Sequence, residues 1–115
     1  MNADVTLLTM QRADILALHR RALRGDQDAL AAFPALWTDY PDLVCFICDS
    51  PVERPPYTQI LPELATRETV LCAPLCTACR SLPELQRLGR SLKILKKMYS
   101  QRSGKTVTFT FNRQQ

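Results

Sequence analysis

The residues of this sequence with chemistry to offer are five cysteines. Cys45 and Cys48 stand in "CFICDS"; Cys72, Cys76 and Cys79 stand in "LCAPLCTACR". In a C-x-x-C pair a tight turn aims both sulfurs at one ion. Two such turns complete a tetrahedron of thiolates, with zinc–sulfur bonds of about 2.3 Å. Cys45/Cys48 and Cys76/Cys79 are the two pairs, and 27 residues lie between them. That spacer is longer than the roughly 15 to 20 residues common in this pattern. Cys72 is left out of the set. It falls in the apolar stretch "TVLCAPL", where a lone thiol behaves as a small hydrophobe. A set in which Cys72 replaces Cys76, or serves as a spare ligand, stays open from spacing alone. So do an iron–sulfur cluster, a redox-active C-x-x-C and five merely buried cysteines. Zinc bound by Cys45, Cys48, Cys76 and Cys79 is the leading reading, because chance rarely makes two C-x-x-C pairs and paired turns suit a single ion.

Catalytic constellations are otherwise lacking. His19 is the only histidine, and it falls among basic residues on a helical stretch. "SGKT" at 103–106 resembles the end of a phosphate-binding loop, but the first glycine of that motif would fall on Tyr99. Four thiolates close a zinc site and leave no position for an activated water. The chain is therefore expected not to be an enzyme.

Which elements must position these sulfurs? The 115 residues suit one domain, 1–115. Residues 10–24 carry an amphipathic helical pattern with Ile15, Leu18 and Leu23 on one face. Gly25 suits its end and Asp26 the cap of a second helix, "QDALAAF", with "ALWTDY" as a third after Pro34. Residues 1–41 thus read as a helical layer, and 42–115 as the zinc-binding core. "LVCFIC" at 43–48 reads as a strand entering a turn. Four prolines make 49–67 a loop, with a short strand near Tyr57 to Leu61. "ETVLCAPL" is a further strand, ended by Pro74. Ser81 and Glu84 form a capping box for a long helix over 82–101. "KTVTFTF" then alternates as a half-buried strand with Val107, Phe109 and Phe111 on one face.

A C-x-x-C leaving a strand, a connecting β segment, then a second C-x-x-C leading into a helix resembles a treble-clef zinc finger over residues 43 to about 100. The resemblance implies Cys45 and Cys48 on a zinc knuckle, with Cys76 and Cys79 at the foot of the long helix. The delay between Cys79 and Ser81 implies a short extra turn there, or an earlier helix start. Treble clefs serve nucleases, ribosomal proteins, transcription factors and adaptors. The nucleases among them carry histidines in and after the knuckle, and this chain has none there. The fold class expected is therefore α+β: N-terminal helices, a short antiparallel sheet, and one long basic C-terminal helix followed by a strand.

Charge points to a partner. Net charge is +4, but residues 1–79 hold six Lys/Arg against ten Asp/Glu, and residues 80–115 hold nine against one. On the long helix Leu85, Leu88, Leu92, Leu95 and Tyr99 fall within about 80° of one another and are expected to face the core. Arg87, Arg90, Lys93 and Lys97 lie roughly opposite, with Arg80 and Lys96 nearby. Arg80, Arg87, Arg90, Lys93 and Lys97 are the candidate contacts to nucleic-acid phosphates, with little means of base readout. The alternative is a protein-interaction adaptor that uses Ile94 and Met98, or the loop 49–67. A metal-dependent nuclease relative without its histidines comes third. The N-terminus has no basic flank leading into an apolar run, and "ALAAFPALW" is about half of a bilayer span. A soluble, cytoplasmic protein away from the membrane is expected.

Overall fold

The strand that organises the molecule lies where helices were expected. The computed structural model describes residues 4–64, 66–99 and 106–111. Its elements are β1 (Asp4–Gln11), α1 (Arg12–Leu23), α2 (Gln27–Ala35), β2 (Tyr57–Pro62), β3 (Thr69–Leu75), α3 (Thr77–Arg80), α4 (Glu84–Tyr99) and β4 (Thr106–Phe111). The sheet order is β2-β3-β1-β4. β2 and β3 are antiparallel, as are β3 and β1, with Leu8 opposite Cys72. β2, β3 and β1 form the short antiparallel sheet of the expected α+β class, and β4, the strand after the long helix, joins it parallel to β1.

β1 corrects the reading of residues 1–41 as a helical layer. Its sequence, DVTLLTMQ, does not alternate apolar with polar, because both faces of the strand are covered. Val5 and Leu7 enter one core, with Leu61, Leu71, Ala73, Leu75, Phe46 and Leu95. Leu8 and Met10 enter a second, with Ile15, Leu18, Ala29, Trp37, Val70 and Cys72. Strand pleating alone makes this division, since successive side chains point to opposite faces. α1 and α2 therefore cover one face of the sheet, and α4 with the cysteine turns covers the other.

On the α1/α2 side the local expectations hold closely. Gly25 takes φ +85° past the end of α1, a backbone region that costs glycine nothing. The Asp26 carboxylate caps α2 by accepting from the N–H groups of Asp28 and Ala29 at 3.0 and 3.2 Å. Ile15 and Leu18 are buried, whereas Leu23, at the last residue of α1, is exposed. The third helix is instead a hydrogen-bonded turn after Pro34. It buries Trp37, whose indole N–H donates to Thr58 Oγ1 at 2.9 Å.

The α4 side differs more. The strand expected at 43–48 is a single bridge, Val44 to Pro51, around a turn. Pro74 does not end β3, which runs on to Leu75. β1 pairs with β3 only as far as Cys72, so beyond it a missing N–H interrupts no ladder on that side. Ser81 does not cap α4; its hydroxyl donates back to the Thr77 carbonyl, and the residue closes α3. The long helix occupies Glu84–Tyr99 rather than 82–101, and residues 100 and 101 lie outside those described.

α4 is also turned by about 60° from the leucine stripe. Ser91 and Leu95 are its buried residues. Leu85 is 86 % exposed and Tyr99 39 %. Arg87 sits on the inward side, half-buried. Ile94 and Met98 pack against the core that contains the cysteine turns. They neither receive α1 and α2, which lie across the sheet, nor form the separate apolar patch considered for a partner. A buried polar pair accounts for the rotation: Gln59 Nε2 donates to Ser91 Oγ at 2.6 Å, and Ser91 Oγ donates to the Arg87 carbonyl at 2.9 Å. An inward serine offered no signal to an apolar count. The alternating faces expected of Val107, Phe109 and Phe111 lie outside the described side chains.

Candidate metal centre

Two turns, 28 positions apart at their closest sulfurs, are brought together by the end of β3. The first turn is closed by hydrogen bonds from Cys45 N–H to the Ser50 carbonyl at 2.7 Å, and from Asp49 N–H to the Cys45 carbonyl at 2.9 Å. Asp49 takes φ +64°, a left-handed conformation that Asp and Asn tolerate better than most side chains. Phe46 is buried, and its N–H donates to the Pro74 carbonyl at 2.9 Å. Pro74 is two residues before Cys76. That hydrogen bond ties the first turn to the end of β3, which leads into the second.

The second turn is α3. Cys76 is its N-cap, and the Cys76 sulfur accepts from the Cys79 N–H at 3.5 Å. This is the short extra turn that the spacing between Cys79 and Ser81 implied. The loop between the turns is tied to it. Glu53 Oε2 accepts from the Thr77 N–H at 2.9 Å and from the Thr77 hydroxyl. Arg54 donates to the Trp37 carbonyl at 3.1 Å and to the Tyr40 carbonyl, which joins the loop to the turn after α2. Sequence reasoning missed both roles; nothing in "PVERPP" distinguishes a clamping carboxylate from a solvated one.

The sulfurs of Cys45, Cys48, Cys76 and Cys79 all lie within 4.8 Å of one another. Cys48 and Cys76 are in contact at 3.6 Å. A regular tetrahedron around zinc has sulfur–sulfur edges of about 3.8 Å, so the donor set fits one tetrahedral ion with little movement. The four cysteines chosen from spacing are thus the four that converge. Cys72 is not among them. It faces the α1/α2 core from the opposite side of β3, and burial pushes its thiol up to about 12. Burial likewise raises Cys45 and Cys79. Burial pushes Cys48 up as well, but hydrogen bonds from Ser50 and from the Cys76 and Cys79 thiols outweigh it and bring Cys48 down to about 7. Such a cluster becomes stable with all four thiolates only when a cation offsets their charge. Held by four protein sulfurs, the ion would be closed to water.

The basic candidates separate. Arg90, Lys93, Lys96 and Lys97 are exposed along α4. Arg87 is drawn inward: its Nη1 donates to the Arg80 carbonyl at 3.0 Å, and its guanidinium lies 5.6 Å from the Tyr57 ring. Arg80 is exposed, with its guanidinium 5.0 Å from the same ring, a cation–π distance. His19 is exposed on α1, edge-on to Phe33 and across the sheet from the sulfurs. No described helix is long and apolar enough to cross a membrane. No family model, curated protein or solved structure matches this chain.

Proposed function

We propose that this chain is a zinc-stabilised binding protein that meets the phosphate backbone of nucleic acid with the exposed face of α4. Zinc is the ion best suited to four thiolates in a closed tetrahedron, with Cys45, Cys48, Cys76 and Cys79 as its ligands. The treble-clef resemblance implies a knuckle at Cys45 and Cys48, a connecting β segment and a second C-x-x-C at the foot of the long helix; here the second pair opens α3, the short helix that precedes α4. A closed site of this kind has no coordination position for a substrate, which favours a binding role over catalysis.

The observation that carries the nucleic-acid reading is the exposure of Arg90, Lys93, Lys96 and Lys97 on one helix. From Arg90 to Lys97 they cover about 10 Å of its length. Glu84, the one acid on this helix, lies more than a turn from Arg90. Arg80, beside Tyr57, extends the basic surface towards the metal turns; Arg87 holds α3 to α4 instead. Contacts of this type release counterions and carry no sequence information.

Fluorescence anisotropy with short DNA and RNA, from low to physiological salt, tests the reading. Four phosphate contacts on duplex DNA would give a slope of log K against log salt of about −3.6. Lys93→Glu with Lys97→Glu should abolish binding, whereas Arg87→Lys should leave the slope unchanged. Absence of binding to either polymer at low salt would remove the proposal.

A further inference from the structure

The four sulfurs are unequal in a way that metal binding does not require. Cys45, Cys76 and Cys79 are buried, and Cys48 is exposed. The exposed sulfur touches one from the other turn, Cys76, at 3.6 Å. Thiol oxidation follows access, and an oxidised cysteine goes on to a disulfide when a second sulfur is within reach.

We propose that Cys48 is an oxidation site: hydrogen peroxide joins Cys48 to Cys76 in a disulfide and thereby releases the metal. The inference rests on the metal centre proposed above. In the first step the Cys48 sulfur attacks one peroxide oxygen. The O–O bond breaks, a sulfenic acid forms, and the other oxygen leaves as hydroxide, which takes up a proton. In the second step the Cys76 thiolate attacks the Cys48 sulfur. The S–S bond forms, the S–O bond breaks, and a second hydroxide leaves and is protonated. Two thiolates, one peroxide and two protons become one disulfide and two waters. Cys45 and Cys79 remain as two thiolates, too few to retain a tetrahedral ion. The new bond takes over the tie between the turns, so the first turn stays docked beneath β3.

The preference for Cys76 over Cys45 follows from geometry. Cys45 belongs to the same turn as Cys48 and is fully buried, with its N–H bonded to the Ser50 carbonyl. Cys76 is buried too, but its sulfur already touches that of Cys48 at 3.6 Å.

The test uses the full chain, purified under reducing conditions and then freed of reductant. Its metal content is measured first. Hydrogen peroxide is added in sub-stoichiometric steps, released metal is followed with a chromogenic chelator, and free thiols are alkylated. Peptide mapping without reduction then identifies the bridge. A Cys48–Cys76 disulfide forming in proportion to released metal supports the proposal. A bridge within either C-x-x-C pair, or release with no Cys48 disulfide, overturns it. Cys48→His keeps a fourth ligand but cannot form the bridge, and its metal release should be slower by about tenfold or more; equal rates would also count against the proposal. Protein that purifies without stoichiometric metal would count against the metal centre instead. Peroxide mapping of that metal-free protein still reads the sulfur pairing, because the contact belongs to the sulfurs themselves.

Discussion

The carboxylate of Glu53 holds the second cysteine turn from outside the cluster. Its bonds to the Thr77 hydroxyl and N–H keep its pKa below the ordinary value of 4.5. A depressed carboxylate contributes stability that is fully present above the unfolded pKa and is lost as pH falls through the folded one. The thermal midpoint of the native protein should therefore drop more steeply below about pH 4.5 than that of Glu53→Gln, whose side chain does not titrate. Parallel acid limbs in scanning calorimetry would show that this clamp carries no weight. Among the cysteines the contrast is sharper. Cys72→Ala should retain one metal per chain and lose about 1 kcal/mol, the cost of removing one buried atom. Cys45→Ala or Cys79→Ala should lose the metal, as read by elemental analysis of the purified protein.

At the scale of elements, α4 shows how one inward polar residue can override an apolar stripe. Leu85 belongs to the leucine series yet is exposed, whereas Leu95 is fully buried. Leu85→Ala should change the unfolding free energy by less than about 0.5 kcal/mol, and Leu95→Ala should cost about 2–5 kcal/mol. Comparable losses by denaturant titration would place the leucine stripe inward after all. The Gln59–Ser91 pair gives a second test. Gln59 Oε1 already lacks a protein partner among the described residues. Ser91→Ala would strand the amide Nε2 as well, costing about 1–3 kcal/mol. Gln59→Leu with Ser91→Ala should recover most of that loss, because neither side chain then leaves a buried polar group unpaired. If the double variant is as unstable as Ser91→Ala, packing rather than hydrogen bonding sets the rotation of α4.

For the whole molecule, the sheet is the common wall of two cores. β1 gives Val5 and Leu7 to one and Leu8 and Met10 to the other, and β3 is shared in the same way. Loss of metal on one face should therefore be felt on the other. Trp37, the single tryptophan, is buried on the α1/α2 face. A strong chelator should lower the unfolding midpoint read from Trp37 emission, although the residue lies across the sheet from the sulfurs. An unchanged Trp37 transition would mean that the two cores unfold independently rather than in one cooperative step.

The local chemistry of this chain was legible before its fold. The turn at Cys45–Cys48, Gly25 and Asp26 around the start of α2, and the strand near Tyr57 depend on neighbours a few positions away. Spacing and side-chain type are enough to read them. The four cysteines that converge, out of five, could be chosen because two C-x-x-C turns are local geometry as well. Tertiary structure decided what depends on having two covered faces. DVTLLTMQ became a strand because α1/α2 and α4 enclose it, and a strand buried on both sides has no alternation to read. Cys72 was separated from the cluster by the pleat of β3. Leu85 went to solvent and Arg87 inward because Gln59, 32 positions from Ser91, supplied a polar partner beneath the helix. The surface that a partner would meet was fixed by that rotation, through a hydrogen bond between residues whose meeting no local pattern announces.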